Sequence, residues 1–269
     1  MRLGLRLITG AYVRVTVEGA EHLPQDSGYI VAFNHPSWLD PLFIAAWWPD
    51  RTRLVYIFGP REQDMSVGFR NHFITWTGRG VPFQPGGADA LDATRRSLTV
   101  LRAGGMLAIA GEGRLSDHEG DPLPFEPGVG HFAQLAKVPV VPLSVDGTRW
   151  VWFRSHVRLV IGEPVDPADF RAGRAAAAAL SGAVRERVAT GLMGVTDRPR
   201  PGPLGAWISE LFNDRPWLDE ATAEPADVDA AEPADVDAPE PADVDAPDAR
   251  DSDAPGSADP GAPGASPPS

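Results

Sequence analysis

The chain contains no cysteine among its 269 residues. This absence excludes disulfide bonds, thiolate metal sites and a cysteine nucleophile. Lysine is almost absent as well, because Lys137 is the only lysine among 24 basic residues. Since arginine fills nearly every basic position, an arginine by itself is weaker support for a phosphate site than it would be in most chains.

Long apolar runs are also missing. The N-terminal stretch MRLGLRLITGAYVRV has too short an apolar segment for a spanning helix and no cleavage pattern of a signal peptide. We therefore expect a cytoplasmic protein whose membrane contact is peripheral, on the inner face of the cell membrane. Leu3, Leu7 and Ile8, together with Arg2 and Arg6, either form a basic amphipathic segment on an anionic membrane or pack against the domain.

The acidic charge is concentrated at the C-terminus. Residues 219–269 hold 15 acidic residues and one arginine, whereas residues 1–218 hold 23 basic and 22 acidic residues. An octapeptide repeat places three glutamates in register within the acidic segment: Glu224, Glu232 and Glu240. Because this segment has little apolar surface to bury, we predict one folded domain at 1–218 and a disordered tail at 219–269.

Strand-like and helix-like runs alternate through residues 1–218. The runs typical of strands begin at Tyr29, Arg53, Met106, Val138 and Val157. The helical patterns between them are PLFIAAWW, SVGFRNHFITW, ALDATRRSLTVLRAG and VGHFAQLAK, and a further helix is predicted from about Ala175 to Leu192. This alternation predicts a single α/β domain with a largely parallel central sheet flanked by helices.

The stretch VAFNHPSWLDPLF ends an apolar run in the polar pair Asn34-His35. Side chains five residues apart would point about 140° away from each other on one helix, so His35 and Asp40 could not cooperate there. Pro36 and Pro41 favour another arrangement, because each biases the preceding residue toward an extended conformation. We expect His35 to leave a strand on a loop, Asp40 to cap the next helix, and the two side chains to meet.

Such a pair has a recognised chemical use. A carboxylate that accepts one imidazole N–H leaves the other ring nitrogen free to take a proton from a hydroxyl group. This arrangement supplies a general base without a protein nucleophile. The alternative is that Asp40 only caps a helix and His35 only occupies a loop.

A second polar segment, AIAGEGRLSD, follows another predicted strand. It places Glu112, Gly113 and Arg114 where ligands bind in open α/β sheets. Gly113 permits close approach of the backbone, and Arg114 could hold a phosphate in its fork of donors. The alternative for Arg114 is a solvated arginine in a loop.

Together these motifs resemble the ordered blocks of the glycerolipid acyltransferases, which include the lysophosphatidic acid acyltransferases. The matching blocks are Asn34-His35-Pro36-Ser37 with Asp40, Glu112-Gly113-Arg114, and Val138-Pro139-Val140-Val141-Pro142. The resemblance extends from Val17 to Pro164. It implies that His35 and Asp40 are catalytic and that the substrate-binding residues are Asn34, Arg79, Glu112, Gly113 and Arg114.

The chain departs from the family in two blocks. Gly80-Val81-Pro82-Phe83 is followed by Gln84-Pro85, with no arginine where the family has one, and Arg79 is the substitute that we consider. The arginine of the third block stands one position earlier than in the commonest form. These departures bear on the acceptor more than on the type of reaction.

The resemblance also implies the partners. The acyl donor would be a thioester, either acyl-CoA or acyl-carrier protein, and the acceptor would be the free hydroxyl of lysophosphatidic acid at a membrane surface, in phospholipid synthesis. The alternatives are another lysolipid or polyol acceptor, or a non-catalytic lipid-binding protein of the same fold. We expect no cofactor and no nucleic acid partner. We also expect no metal, because the remaining histidines lack the spacing of metal ligands: His22, His72, His118, His131 and His156.

Overall fold

The structure is a computed structural model that describes residues 2–60, 79–83, 89–116 and 118–213. These residues belong to one compact unit, Met1–Ala223. The predicted tail and the predicted helix SVGFRNHFITW lie outside the described residues.

Within the described residues we number helices and strands in chain order. The helices are α1 (Arg2–Tyr12), α2 (Asp40–Trp47), α3 (Asp89–Arg102), α4 (Gly128–Ala136), α5 (Arg174–Gly191) and α6 (Pro203–Asn213), with short 3₁₀ turns at Ala20–His22 and Pro167–Asp169. The strands are β1 (Arg14–Glu18), β2 (Tyr29–Phe33), β3 (Val55–Pro60), β4 (Gly80–Phe83), β5 (Met106–Ala110), β6 (Val140–Asp146) and β7 (His156–Ile161).

The strands form one seven-stranded sheet in the order β1-β7-β6-β2-β5-β3-β4. Strands β2 to β6 run parallel to one another, whereas β7 is antiparallel to β6 and carries β1 parallel to itself at the edge. The predicted α/β fold with a largely parallel sheet flanked by helices is confirmed. The reversed direction of β7 was not predicted, because the sequence of a strand does not encode which way it enters the sheet.

Strand β2 lies at the centre of the sheet and all five of its residues are buried. Ile30 and Ala32 belong to a core shared with α3, α4 and α5, whereas Tyr29, Val31 and Phe33 belong to a core shared with α2. Since helices cover both faces, the strand is a continuous apolar run instead of an alternating one.

The register aligns the ends of three parallel strands. Phe33 at the end of β2 pairs with Ala110 of β5 on one side and with Leu143 of β6 on the other. We call this side, where β2, β5 and β6 end, the carboxyl edge of the sheet. The opposite side, where these strands begin, is the amino edge. Loops that leave the carboxyl edge bring the predicted site residues together.

Helix α1 packs against the domain on one side and leaves apolar side chains exposed on the other. Its inner side packs on α2, where Trp47 Nε1 donates to Thr9 Oγ1 at 2.9 Å and Gly10 lies against the Trp47 ring. Its outer side leaves Leu3, Leu7 and Ile8 exposed. Among the described residues, none of the helices has the length and apolar character needed to cross a membrane.

Candidate active site

His35 and Asp40 meet across the turn between β2 and α2. His35 Nδ1 lies 2.8 Å from Asp40 Oδ2, and the same carboxylate oxygen accepts the backbone N–H of Ser37 at 3.0 Å. Asp40 is fully buried, whereas His35 keeps 9% of its surface exposed. The carboxylate therefore holds one ring nitrogen from inside the protein.

The expected helix cap is corrected by the structure. Asp40 is the first residue of α2, Leu39 occupies the cap position, and no side chain caps this helix. The physical reason is that the N–H groups of Leu42 and Phe43, which a cap at Asp40 would accept, donate to the carbonyl of Leu39, while the carboxylate is turned back toward Ser37 and His35. Asp40 thus makes the predicted contact with His35 but does not cap the helix as predicted.

Asn34 fixes the end of β2 beside this pair. Its Nδ2 donates to the carbonyl oxygen of Val145 and its Oδ1 accepts the N–H of Val145, both at 2.8 Å. The side chain is fully buried. Both polar groups of the Asn34 amide thus bond to β6. Asn34 therefore supports the backbone that carries His35.

The His35 ring is held on two further sides. The ring of Phe33 lies edge-on at a centroid distance of 5.7 Å and that of Trp38 at 6.1 Å. The backbone carbonyl of His35 accepts the N–H of Ser116 at 2.8 Å. These contacts tie the histidine to the loop after β5 as well as to its own turn.

The turn after β6 completes the surroundings of Asp40. Burial raises the pKa of Asp40, while His35, the hydroxyl of Thr148 and the N–H of Ser37 oppose that rise. Buried Glu119 supports this turn, because its Oε1 accepts the N–H groups on either side of Thr148: Gly147 at 2.9 Å and Arg149 at 3.0 Å.

Glu112 lies beneath the site and is buried, with Oε1 accepting the N–H of Leu123 at 3.3 Å. Burial raises its pKa to about 8. The N–H groups of Leu123 and His35 and the charge of Arg114 work against this rise, and the Asp40 carboxylate adds to it. At neutral pH this side chain is therefore mostly a neutral acid.

Gly113 and Arg114 lie at the exposed surface of the same loop. Gly113 has a φ of 67°, in the left-handed region that favours glycine, and a Cβ there would lie 3.1 Å from Glu126 Cγ. The sequence reason for this glycine is thus the backbone turn that presents Arg114. Arg114 follows β5, which ends beside β2 at the carboxyl edge, so it lies at the same edge of the sheet as His35.

Arg79 stands apart from these residues. It directly precedes β4, which runs parallel to β3, so it lies at the amino edge of the sheet, where its carbonyl accepts the N–H of Ile57 at 2.9 Å. Its charge acts on Arg2, whose pKa is lowered by burial first and then by Arg6, Arg51 and Arg79 against the opposing charge of Asp50. The structure does not bring Arg79 to the carboxyl edge with His35 and Arg114.

Sequence reasoning missed four residues of the site. Phe33 and Trp38 contact the histidine, Thr148 acts on the pKa of Asp40, and Glu119 holds the turn that carries Thr148. The one available signal was the pair Gly147-Thr148 directly after a strand, a position where polar residues often face a site. For metals, the described ranges contain no group of three or more His, Asp and Glu side chains that could hold an ion.

Comparison with known proteins identifies the class of this domain. The family model described as Acyltransferase matches residues 14–146. A 1-acyl-sn-glycerol-3-phosphate acyltransferase of Bacillus subtilis (strain 168) is 23% identical over 191 residues, which cover 68% of this chain and 91% of that protein. The human 1-acyl-sn-glycerol-3-phosphate acyltransferase alpha is 25% identical over 173 residues, 61% of this chain and 56% of that protein.

A solved structure of an acyltransferase also resembles this chain. The crystal structure of the 1-acyl-sn-glycerophosphate (LPA) acyltransferase, PlsC, from Thermotoga maritima superposes with a TM-score of 0.55 and 28% identity, over 74% of this chain and 79% of that chain. The fold and the histidine–aspartate pair define an α/β acyltransferase domain. Residues 14–146 belong to the acyltransferase family, and the chain is an acyltransferase-like enzyme.

Proposed function

We propose that this protein transfers a fatty acyl group from acyl-CoA or acyl-carrier protein to the free hydroxyl of lysophosphatidic acid, in phospholipid synthesis. The observation that carries the proposal is the His35–Asp40 pair, with 2.8 Å between Nδ1 and Oδ2. It lies at the carboxyl edge of the sheet on the same side as exposed Arg114. The relatives named above supply the choice of acceptor.

His35 is the proposed general base. With Nδ1–H donated to Asp40, Nε2 is free to accept the proton of the acceptor hydroxyl while its oxygen attacks the thioester carbonyl carbon. The carbon–sulfur bond then breaks, and the proton on Nε2 passes to the departing sulfur. Asp40 sets the ring tautomer and stabilises the imidazolium that forms between these two steps.

The remaining site residues divide between contact and support. Arg114 would bind the acceptor phosphate through its fork of donors, and Gly113 would let the phosphate approach the backbone. Glu112 and Asn34 are buried and hold the loops that carry these groups, so we assign them positioning roles in place of direct substrate contact. Because Arg79 lies at the amino edge, the proposal gives it no contact with the acceptor phosphate.

The proposed location is the inner face of the cell membrane, reached through α1. This helix exposes Leu3, Leu7 and Ile8 on its outer side. Beside them is a groove of about 750 Å³ lined by apolar residues of α1, by Trp47 and by the three arginines Arg2, Arg6 and Arg51. Apolar side chains flanked by cations suit an anionic bilayer surface.

A matched pair of histidine variants tests the catalytic proposal. His118 Nδ1 lies 2.7 Å from Asp197 Oδ2, much as His35 meets Asp40, but the His118 side chain is 66% exposed. With purified protein, acyl-CoA and lysophosphatidic acid, His35→Ala should lower kcat by about 10²–10⁴-fold, whereas His118→Ala should retain it. The measurement is acceptor-dependent release of free CoA, with folding checked by circular dichroism.

The acceptor panel separates the remaining alternatives. Lysophosphatidic acid should give faster release of CoA than lysophosphatidylcholine, lysophosphatidylglycerol or glycerol. A well-folded His35→Ala protein with near-normal turnover would overturn the mechanism. Tight binding of lysolipids without CoA release from any acceptor would instead identify a lipid-binding protein of this fold.

A further inference from the structure

A second group of exposed apolar side chains lies beside the end of α1. Four large apolar side chains on the loop 150–154 and on α6 are open to solvent: Trp152 (37% exposed), Phe153 (55%), Leu204 (62%) and Trp207 (58%). Such side chains, gathered on neighbouring elements, mark a surface that contacts another apolar phase. We call these four residues the aromatic rim.

The two parts of the aromatic rim are joined by direct packing. A Cβ placed on Gly205 would lie 3.0 Å from Cε3 of Trp152, and Ser209 Oγ donates to the carbonyl oxygen of Val151 at 3.4 Å. Ala206 and Ser209 are buried on the inner side of α6. Leu204 and Trp207, three residues apart, therefore share the outer side of the helix.

The rim also continues into α1. The Phe153 ring lies 6.0 Å from the Tyr12 ring, and the N–H of Arg154 donates to the carbonyl oxygen of Tyr12 at 2.7 Å. Exposed Ile8 precedes Tyr12 by one helical turn, so it lies on the same side of α1. The apolar surface thus runs from α1 across the loop to α6.

Two arginines lie beside the rim. Arg154 and Arg200 are both exposed, and the Arg200 guanidinium lies 5.9 Å from the centroid of the Trp150 ring. Cations beside indole rings and aliphatic side chains are complementary to the phosphates and the upper acyl chains of an anionic bilayer.

The rim is connected to the active site through its own loop. Thr148, which acts on the pKa of Asp40, stands four residues before Trp152 in the segment that leaves the carboxyl edge after β6. Strand β7 begins at this same edge, because it returns antiparallel to β6. A surface that contacts lipid here would hold the carboxyl edge against the bilayer from which the acceptor comes.

We propose that the aromatic rim is a lipid-docking surface that inserts into an anionic bilayer beside the active site, as a second contact in addition to α1. The proposal rests on the proposed function only in taking the acceptor from a membrane. Under this proposal α6 and the loop 150–154 bind lipid and take no part in catalysis.

The absence of native cysteine permits a direct test with single labelled cysteines. Phe153→Cys and Leu204→Cys each receive an environment-sensitive fluorophore, and Leu91→Cys on α3 serves as the control. Leu91 is 68% exposed, and α3 covers the opposite face of the sheet from α1 and α2. The probe is a vesicle of phosphatidylcholine and phosphatidylglycerol that contains lipids with a nitroxide in the upper acyl chain.

The expected result is a blue shift and nitroxide quenching at positions 153 and 204 but not at position 91. The unlabelled double variant Leu204→Ala/Trp207→Ala should bind these vesicles at least about tenfold more weakly than Leu91→Ala, since it removes two large apolar side chains from the contact with the bilayer.

Three results would overturn the inference. Vesicle binding with no quenching at 153 or 204 would leave membrane association through α1 intact and remove the rim from it. Dimers in the absence of lipid that dissociate on Leu204→Ala/Trp207→Ala would identify the rim as a contact between copies of the chain. Failure of the protein to bind vesicles at all would reject both the rim and the proposed membrane location, while turnover with soluble short-chain acceptors would still support the catalytic proposal.

Discussion

The side chain of Asn34 exchanges two hydrogen bonds with the backbone of Val145, each 2.8 Å long. The amide thereby continues the pairing of β2 with β6 for one more position after β2 has ended. His35 follows directly, so the position of this proposed base depends on the two hydrogen bonds that the Asn34 side chain makes to β6.

Asn34→Ala should therefore destabilise the protein and lower turnover together. The substitution leaves the N–H and the carbonyl of Val145 buried without their partner, which costs about 1–3 kcal/mol for each unsatisfied group. Urea unfolding measures the loss of stability, and initial rates measure the loss of kcat. Asn34→Asp is the informative comparison, because a carboxylate can accept the Val145 N–H but cannot donate to its carbonyl. An alanine variant as stable and active as the parent would contradict this role for Asn34.

The sequence was sufficient to predict the meeting of His35 and Asp40 but not its surroundings. Pro36 restricts the backbone of His35 locally, so its effect can be read from neighbouring residues. Pro41 did not hold Asp40 extended as expected, because Asp40 is the first residue of α2, and the cap prediction was wrong because this carboxylate bonds to His35 and Ser37. Thr148 and Glu119 reach the site only because β6 and β5 lie on either side of β2, long-range pairings that no local pattern contains.

The position of Arg79 shows the same limit for the sheet. Reading the chain in order places Arg79 close to the block Gly80-Val81-Pro82-Phe83, and so close to a family motif. Only the direction of β4 decides that residue 79 lies at the amino edge and residue 83 toward the carboxyl edge. Arg79 is thus close to the motif in sequence but not close to His35 in the structure.

Asp40→Asn should reduce kcat while leaving the KM for acyl-CoA nearly unchanged. The neutral amide cannot stabilise the imidazolium that forms during proton transfer, and it can present N–H to Nδ1 in place of an acceptor. We expect a loss on the order of 10²–10⁴-fold, as for removal of the base itself. Asp197→Asn, at the exposed pair with His118, is the control for loss of a carboxylate beside an imidazole. Equal losses in both variants would show that the effect is not specific to the site.

Glu112→Gln should alter the dependence of stability on pH. The pKa of Glu112 is raised from 4.5 to about 8 in the folded protein. Between these two values the folded state holds a proton that the unfolded state releases, so the stability contributed by the protonated side chain is complete below pH 4.5 and is lost as the pH rises toward 8. Glutamine resembles the neutral acid and has no proton to lose.

The comparison is made by urea unfolding of both proteins from pH 5 to pH 8. The parent should lose stability relative to Glu112→Gln by about 3–4 kcal/mol at most across this range, at about 1.4 kcal/mol per pH unit. Other buried carboxyls such as Glu119 are present in both proteins, so they cancel in the difference. Parallel stability curves would show that Glu112 is ionised in the folded protein throughout.

Deletion of residues 219–269 should leave folding and turnover nearly intact, because every residue of the site lies before residue 214. The deletion removes 15 acidic residues and one arginine, which lessens repulsion from anionic lipid, so binding to phosphatidylglycerol vesicles should tighten. Thermal unfolding, kcat and vesicle sedimentation at low and at physiological salt give the three readouts. A truncated protein that is insoluble or inactive would require a structural role for the tail.

Arg114→Ala and Arg79→Ala provide the sharpest comparison, because the structure separates two arginines that the sequence allows to act together. Arg114 is exposed on the loop that follows β5, and Arg79 lies at the amino edge with Arg2, Arg6 and Arg51. Arg114→Ala should raise the KM for lysophosphatidic acid by about 10-fold to 100-fold, as expected for loss of a charge-assisted hydrogen bond worth about 1.5–3 kcal/mol. The KM for acyl-CoA should change little. Arg79→Ala should leave both constants near those of the parent, and Arg114→Lys should recover only part of the loss, since an ammonium group lacks the planar fork. If Arg79→Ala raised the KM for the phosphorylated acceptor as much as Arg114→Ala did, the assignment of the acceptor phosphate to the carboxyl edge would fall.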